Sequence, residues 1–192
     1  MSQPQEASRA KLVIGFLVRE RTLASGVVAA LDAQFGPLDL VSPWLPFDYT
    51  DYYAREMGSP LHRRLLTYEH LVAQDILPAI KHTTNQIEAT MTDAGRRLVN
   101  IDPGLLSAER FVLATGKNFP HRIYLRRGIY ADLTLIYRKG GFQSLPWTYP
   151  DYREARLQQH LLQARCKLQR DLAAPQEGRQ EASGPRDPKG VG

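Results

Sequence analysis

The segment from His121 to Leu135 constrains the fold most strongly, because it predicts a β-hairpin with a fixed register. Two runs that alternate apolar and polar residues flank Arg126-Arg127-Gly128. A three-residue loop with Gly128 in the left-handed conformation would pair Leu125 with Ile129 and fix the register of both strands. A two-residue loop would instead set Ile123 against Asp132 and mix the two faces. The favoured register gives one apolar face and one polar face, the latter carrying Arg122, Tyr124, Tyr130, Asp132 and Thr134.

The remaining patterns predict a single α+β domain. A continuous apolar run over residues 12–18 predicts that residues 11–18 form a strand buried on both faces, and short strands are expected at 38–41 and 98–101. Helices are predicted from the caps Thr22, Asp75 and Asp151, with Gly36-Pro37 ending the first and Gly95 the second. The last helix carries an apolar stripe: Leu157, Leu161, Ala164, Leu168 and Leu172. We expect a two-layer sandwich of three main helices on a mixed or mostly antiparallel sheet of about five strands.

Three segments are harder to assign. Residues 43–58 are rich in Pro and aromatic residues and fit no period, which predicts a long ordered loop. Asp102-Pro103-Gly104 predicts a turn after the strand 98–101. The segment 107–115 fits either a short helix beginning at Ser107 or a strand through Phe111-Val112-Leu113, and the helix is favoured.

Composition sets the domain limits. Residues 1–10 and 173–192 lack the apolar side chains needed to offset ordering entropy, so both ends are expected to be disordered around a globular domain of residues 11–172. No apolar run is long enough for a membrane span, and none resembles a signal peptide, so a cytoplasmic location is expected by default. Cys166 is the single cysteine and is expected to be a structural thiol.

Positive charge is concentrated near the hairpin. Residues 96–139 hold nine Lys and Arg against three Asp and Glu. An arginine beside two phenols suits a phosphate or a nucleobase, so Arg122, Tyr124, Tyr130 and Asp132 are candidate ligand-binding residues. The alternative is a surface ion pair between Arg122 and Asp132 beside a tyrosine pair. His121 is expected on the apolar face as a half-buried histidine.

Two neighbouring segments contribute further candidates. Asn100 and Asp102 project from one side of a predicted strand end that precedes a helix, where backbone N–H groups attract anions. Asp102 could hold a metal or a ribose hydroxyl there, or could only form an Asx turn. Thr115-Gly116-Lys117-Asn118 has the Gly-Lys pair of a phosphate-binding loop but lacks the rest of that motif. Lys117 is therefore either a solvated lysine or a single contact to a ligand phosphate.

An acidic aromatic segment is the candidate metal site. Asp48 and Asp51 stand three apart among Phe47, Tyr49, Tyr52 and Tyr53. Carboxylate oxygens at such a loop could supply ligands to Mg²⁺. The alternative is that aromatic side chains anchor the loop while the acids face solvent or the basic sheet.

Several of these motifs occur together in a known family. In order they are residues 11–15, 47–53 with 56–58, Thr84-Asn85 with Ile87-Glu88, 100–104, 113–115, 121–125 and 148–152. The chain resembles a bacterial family described as domain of unknown function 4416 over residues 11 to about 168. The resemblance implies no established reaction. Some members are labelled GTP-binding proteins, and this chain has no nucleotide-binding motif that supports that label. Asp132 stands where a Glu is common in the family.

Two hypotheses of function follow. In the first, the polar sheet face binds an anionic ligand, a nucleotide or phosphate ester. In the second, the same basic face serves a non-enzymatic RNA- or protein-interaction module, since aromatic side chains amid positive charge also suit single-stranded nucleic acid. The nucleic-acid hypothesis requires Arg96, Arg97, Arg126, Arg127 and Arg138 to share one face.

Overall fold

The computed structural model describes residues 1–174, except for the side chain of Asp51. The strands are β1 (Ala10–Val18), β2 (Leu38–Val41), β3 (Leu45–Phe47), β4 (Leu61–Val72), β5 (Thr92–Asp93), β6 (Arg96–Arg97), β7 (Val99–Leu106), β8 (Arg110–Thr115), β9 (Arg122–Arg126), β10 (Ile129–Arg138) and β11 (Gly141–Ser144). The helices are α1 (Ala24–Phe35), α2 (Asp51–Met57), α3 (Leu77–Thr90) and α4 (Ala155–Ala173). Short 3₁₀ turns lie at Arg21–Leu23, Gln74–Ile76 and Pro150–Arg153.

The fold is α+β and is built on a nine-stranded sheet, larger than the five strands expected. The main path runs β11-β10-β8-β7-β1-β4-β2, with β3 also paired to β4 and β9 to β10. Each of these pairings is antiparallel. Strands β5 and β6 form a separate pair. In residues 1–174, no helix is long and apolar enough to cross a membrane.

Helices pack on both faces of the sheet, so the expected two-layer arrangement is not confirmed. Leu12, Ile14 and Phe16 of β1 pack in one core with residues of α1 and α3. Val13, on the opposite side of the same strand, packs with Leu157 and Leu161 of α4. These two sides are called the α3 face and the α4 face. Because both are covered, every residue of β1 is buried, as the apolar run over residues 12–18 predicts.

The hairpin confirms most of the predicted register and corrects its loop. Tyr130 pairs with Tyr124, Ala131 with Ile123 and Asp132 with Arg122, as expected. The loop contains two residues, Arg127 and Gly128, both with positive φ, and Arg126 pairs with Ile129. A bulge between Ile129 and Tyr130 then restores the predicted alignment. The three-residue loop was therefore wrong, although the polar residues still share a face.

Long-range pairing overrides several local predictions. Residues 43–58 are not a loop, because they contain β3 and α2. Residues 102–104 lie inside β7 rather than in a turn, and 110–115 form β8 rather than a helix. Strand β4 was not predicted at all. Its partners β1, β2 and β3 lie on both sides of it.

The predicted helix boundaries also change. Helices α1, α3 and α4 begin just after the 3₁₀ turns and have no side-chain cap, so Thr22, Asp75 and Asp151 do not act as caps. Helix α3 ends at Thr90, and Gly95 instead lies in the turn between β5 and β6. Leu172 is 42% exposed and leaves the apolar stripe of α4. Residues 1–9 form no helix or strand. Apart from residues 173 and 174, the predicted disordered tail lies outside the described residues.

Candidate functional site

Strand register brings the predicted polar residues onto the α4 face. Asp102 lies opposite Gly15, two residues from Val13 of the α4-face core. Gly104, two residues further along β7, pairs with Leu113, and Leu113 pairs with Asp132. Directly opposed residues of antiparallel strands share a face, as do residues two apart. Asn100, Asp102, Asp132, Arg122, Tyr124 and Tyr130 therefore all project from the α4 face.

Strands β7 and β8 pair only from Gly104 onward, so they are separated at Asp102. Their ladder covers only Gly104–Leu106, which leaves one side of residues 99–103 without a partner strand among the described residues. Two side chains of α3 replace that strand at Ile101. Glu88 accepts a hydrogen bond from the Ile101 N–H at 2.6 Å, and Lys81 donates to the Ile101 carbonyl at 2.8 Å. In a strand, the backbone N–H groups of residues two apart point to the same side. Proline has no N–H, and at Pro103 this loss falls on the side without a partner strand, where no donor is needed.

A buried arginine organises the site beside Asp102. The Arg63 side chain of β4 is only 5% exposed and donates to Asp102 Oδ2 at 2.9 Å and to Asp151. Its guanidinium also lies 5.2 Å from the ring centroids of Phe47 and Tyr152. Burial disfavours the charged form, but the neighbouring Tyr152 and Asp102 more than offset that effect, and the pKa of Arg63 is raised. Arg63 is thus a fixed cation that positions two carboxylates.

The Asp102 carboxylate is held from one side and open on the other. Asn100 Nδ2 donates to the same oxygen, Oδ2, at 2.8 Å. The carbonyl oxygen of the Asn100 side chain accepts from Arg97 at 3.0 Å, which fixes the orientation of the amide. Arg97 in turn donates to Glu56 at 2.7 Å and to Glu88 at 3.3 Å. Asp102 remains 23% exposed, and no described side chain donates to its Oδ1.

A second group surrounds Asp132, which is 1% exposed. Arg122 donates through Nε to Asp132 at 2.8 Å, through Nη1 to the Lys117 carbonyl at 2.9 Å and through Nη2 to the Tyr149 hydroxyl at 2.6 Å. His121 Nε2 lies 3.5 Å from the same Asp132 oxygen, and its ring stacks on Trp147 at 4.9 Å. The pair of Arg122 and Asp132 is therefore a buried link rather than a surface ion pair. The expectation that His121 lies on the apolar face was wrong, since it contacts Asp132 from just before β9.

Tyr149 and Tyr53 connect the two groups. Burial and the charge of Asp132 raise the pKa of Tyr149, and Arg122 only partly opposes this. Burial and the charge of Asp102 likewise raise the pKa of Tyr53. Both phenols therefore keep their protons at neutral pH and can act as hydrogen-bond donors. Tyr149 is 38% exposed, so it forms part of the accessible wall between Asp102 and Asp132.

Lys117 stands exposed at the margin of this wall. Its ammonium group donates to the Tyr52 hydroxyl at 3.2 Å and lies 4.4 Å from the centroid of that ring. Tyr52 is 57% exposed. No described carboxylate contacts Lys117, in contrast to Arg63, Arg97 and Arg122. Lys117 is therefore the cation of this group with the most freedom to meet a ligand.

The other predicted candidates are placed as follows. Tyr124 and Tyr130 form an edge-to-face pair with centroids 5.3 Å apart, and Tyr124 is 57% exposed. Asp48 is exposed just after β3, while the side chain of Asp51 lies outside what the structure describes. Among the side chains described, no three His, Cys, Asp or Glu residues group as metal ligands. Asp102 does not precede a helix, so the predicted helix N-terminus beside it was wrong.

Sequence reasoning missed the residues that hold the site together. Arg63, Lys81, Glu88 and Tyr149 were not among the candidates, and Asp151 was assigned to a helix cap. One signal was available: the polar run His62-Arg63-Arg64 separates Leu61 from Leu65-Leu66. A charged residue in a buried strand requires a buried partner.

Comparison with known proteins gives a family. A search of curated proteins found no match, and neither did a search of solved structures. A family model described as domain of unknown function (DUF4416) matches residues 8–167. The match covers the whole sheet and about two thirds of α4, including every residue of the site. The chain therefore belongs to the DUF4416 family.

Proposed function

We propose that the chain binds a small anionic ligand, a nucleotide or phosphate ester, on the polar part of the α4 face. The observation that carries this proposal is the exposed Lys117, seated on the Tyr52 ring beside a wall of fixed polar groups. A lysine ammonium is a common phosphate-binding group, and an exposed aromatic ring beside it offers a stacking surface. Asp102 would accept a hydrogen bond from a hydroxyl of the same ligand through Oδ1.

The charges of the site limit which anion fits. Five carboxylates, Asp102, Asp151, Glu88, Glu56 and Asp132, form ion pairs with four cations, Arg63, Lys81, Arg97 and Arg122, and the ammonium group of Lys117 on Tyr52 is the fifth cation of the site. Their formal charges sum to zero. A site without net positive charge favours a monophosphate over a triphosphate, because each added negative charge must be desolvated against nearby carboxylates.

The alternative of an RNA-interaction module has less support. Arg126 and Arg127 lie at one end of β10, a strand of ten residues, whereas Arg138 lies at its other end. That separation is about 30 Å in an extended strand. Arg97 is also held by Glu56 and Glu88. The basic residues therefore do not form the continuous stripe that the nucleic-acid hypothesis requires.

A ligand screen with matched variants tests the proposal. Thermal unfolding would be followed with nucleoside monophosphates, sugar phosphates, inorganic phosphate and Mg²⁺. We expect at least one monophosphate to raise the melting temperature. Lys117→Gln should weaken its binding about tenfold, the loss expected for one charge-assisted hydrogen bond.

Lys139→Gln is the matched control, since Lys139 is an exposed lysine at the far end of β10. It should leave ligand binding unchanged. Equal weakening by both variants would contradict the role of Lys117. No stabilisation by any compound of the panel would contradict the proposal itself.

A further inference from the structure

The outer edge of β9 is an uncovered strand with exposed apolar side chains. Strand β9 pairs with β10 on one side, and no strand of residues 1–174 pairs with its other side. Ile123 is 70% exposed and Leu125 is 38% exposed. Both project away from the polar site, because Ile123 lies opposite Ala131 on the α3 face. An open strand edge offers backbone N–H and C=O groups to another extended segment.

Charge at this edge is of one sign. The segment from Gly116 to Gly128 contains four Lys and Arg residues and no Asp or Glu. Asp132 neutralises Arg122, but no carboxylate in the described part of the chain contacts Arg126 or Lys117. Exposed cations therefore stand near both ends of β9, where they complement an acidic partner and repel a basic one.

The same charges argue against a second copy of this chain. Antiparallel pairing of two β9 strands centred on Tyr124 would set Arg122 of each copy against Arg126 of the other. Like charges directly opposite each other destabilise a strand pair. Positive residues at an edge are a known protection against self-pairing, and they leave pairing with an acidic strand open.

We propose that β9 is a docking edge for an extended, acidic segment of another protein, which adds a strand to the sheet beside it. Ile123 and Leu125 contact apolar side chains of that segment, while Arg126 and Lys117 contact its carboxylates. On the face that carries Ile123 and Leu125 the exposed side chains are aliphatic and have no flat surface for stacking on bases, so this face suits a peptide better than a nucleic acid; the exposed ring of Tyr124 lies on the other face. Lys117 is shared with the ligand site proposed on the α4 face, whereas Ile123, Leu125 and Arg126 lie outside that site, so variants of these three residues test the docking edge separately.

Binding of a synthetic peptide tests the docking edge. The probe is a short fluorescent peptide that alternates Val with Glu, and binding is read by fluorescence anisotropy. We expect saturable binding that is at least about tenfold weaker for the same peptide with Lys in place of Glu. Two further peptides are methylated on alternate backbone nitrogens, one on the odd-numbered and one on the even-numbered residues. Only one of them should lose binding, because only one set of N–H groups faces the edge of β9.

Three variants localise the binding. Ile123→Lys should weaken it about tenfold or more, whereas Val41→Lys should not, although Val41 is also exposed and lies on the opposite edge strand, β2. Arg126→Glu should reverse the preference between the acidic and basic peptides. Thermal unfolding confirms that each variant is folded.

Four results would overturn the proposal: no binding of the acidic peptide, equal loss in Ile123→Lys and Val41→Lys, insensitivity to both methylation patterns, or tighter binding of a single-stranded RNA that competes with the peptide.

Discussion

Replacing Arg63 with Met should destabilise the protein strongly, because it leaves two carboxylates without their shared cation. The Asp151 side chain is 7% exposed and the Asp102 side chain 23%, so neither can recover full hydration. Removing one partner of a buried ion pair costs about 3–5 kcal/mol. For a chain of this size, that loss corresponds to a fall of about 6–20 °C in melting temperature.

The adjacent Arg64 provides the matched control. It is a half-buried arginine of the same strand, and it lies over the Trp44 ring at 5.0 Å and donates to the Ser42 carbonyl at 3.1 Å. No carboxylate of the described chain contacts it, so Arg64→Met should cost about 1 kcal/mol. Urea unfolding measures both variants. If Arg63→Met cost no more than Arg64→Met, the reasoning that Arg63 holds two buried charges would be refuted.

Further predictions concern stability. His160 donates to or accepts from the Thr67 hydroxyl at 3.0 Å, and burial lowers its pKa to about 4. The unfolded chain, with an ordinary histidine pKa of about 6.5, binds the proton first. Stability should therefore be complete above about pH 6.5 and fall as pH drops toward 4, by about 2 kcal/mol at about pH 5. In denaturant unfolding across this pH range, the free energy of unfolding of His160→Gln should fall less with decreasing pH than that of the wild type. An identical pH dependence of the two proteins would contradict a buried neutral imidazole at His160. A Cβ at Gly104 would lie 2.8 Å from the Val112 carbonyl oxygen and 2.7 Å from the Phe111 ring, so Gly104→Ala should cost about 1–3 kcal/mol. The control is Gly26→Ala in α1, whose added Cβ meets nothing within 4 Å and should stabilise the protein by about 0.5–1 kcal/mol. If the two variants changed the melting temperature equally, crowding at Gly104 would be contradicted.

The sequence predicted the elements whose patterns are local. The apolar run of β1 and the side-chain alternation of the hairpin are each read within a few residues, and the structure confirms the buried strand and the hairpin pairs from Tyr130 to Asp132. Arg122, Tyr124, Tyr130 and Asp132 could therefore be placed on one face without knowledge of the sheet. The bulge at Ile129 was not predicted, but it shifts the loop without changing that face.

The rest depends on contacts that are distant in the chain. Asp102-Pro103-Gly104 has turn-forming residues, yet it is a strand because β1 pairs along its whole length and α3 supplies Lys81 and Glu88 to its open side. Arg63 could be recognised as unusual from the sequence, but its partners lie 39 and 88 residues away. No local pattern identifies Asp102 and Asp151 as those partners.

The most direct test of the proposed ligand site is nuclear magnetic resonance mapping with a nucleoside monophosphate. Amide signals of the ¹⁵N-labelled protein would be followed during titration with the compound that gives the largest thermal shift. Binding on the polar α4 face should move signals of residues 115–119, 130–132 and 147–152 in a saturable manner, and Lys117→Gln should shift the titration to higher concentration. Shifts confined to α1 and the α3 face, or no shifts at all, would contradict the account.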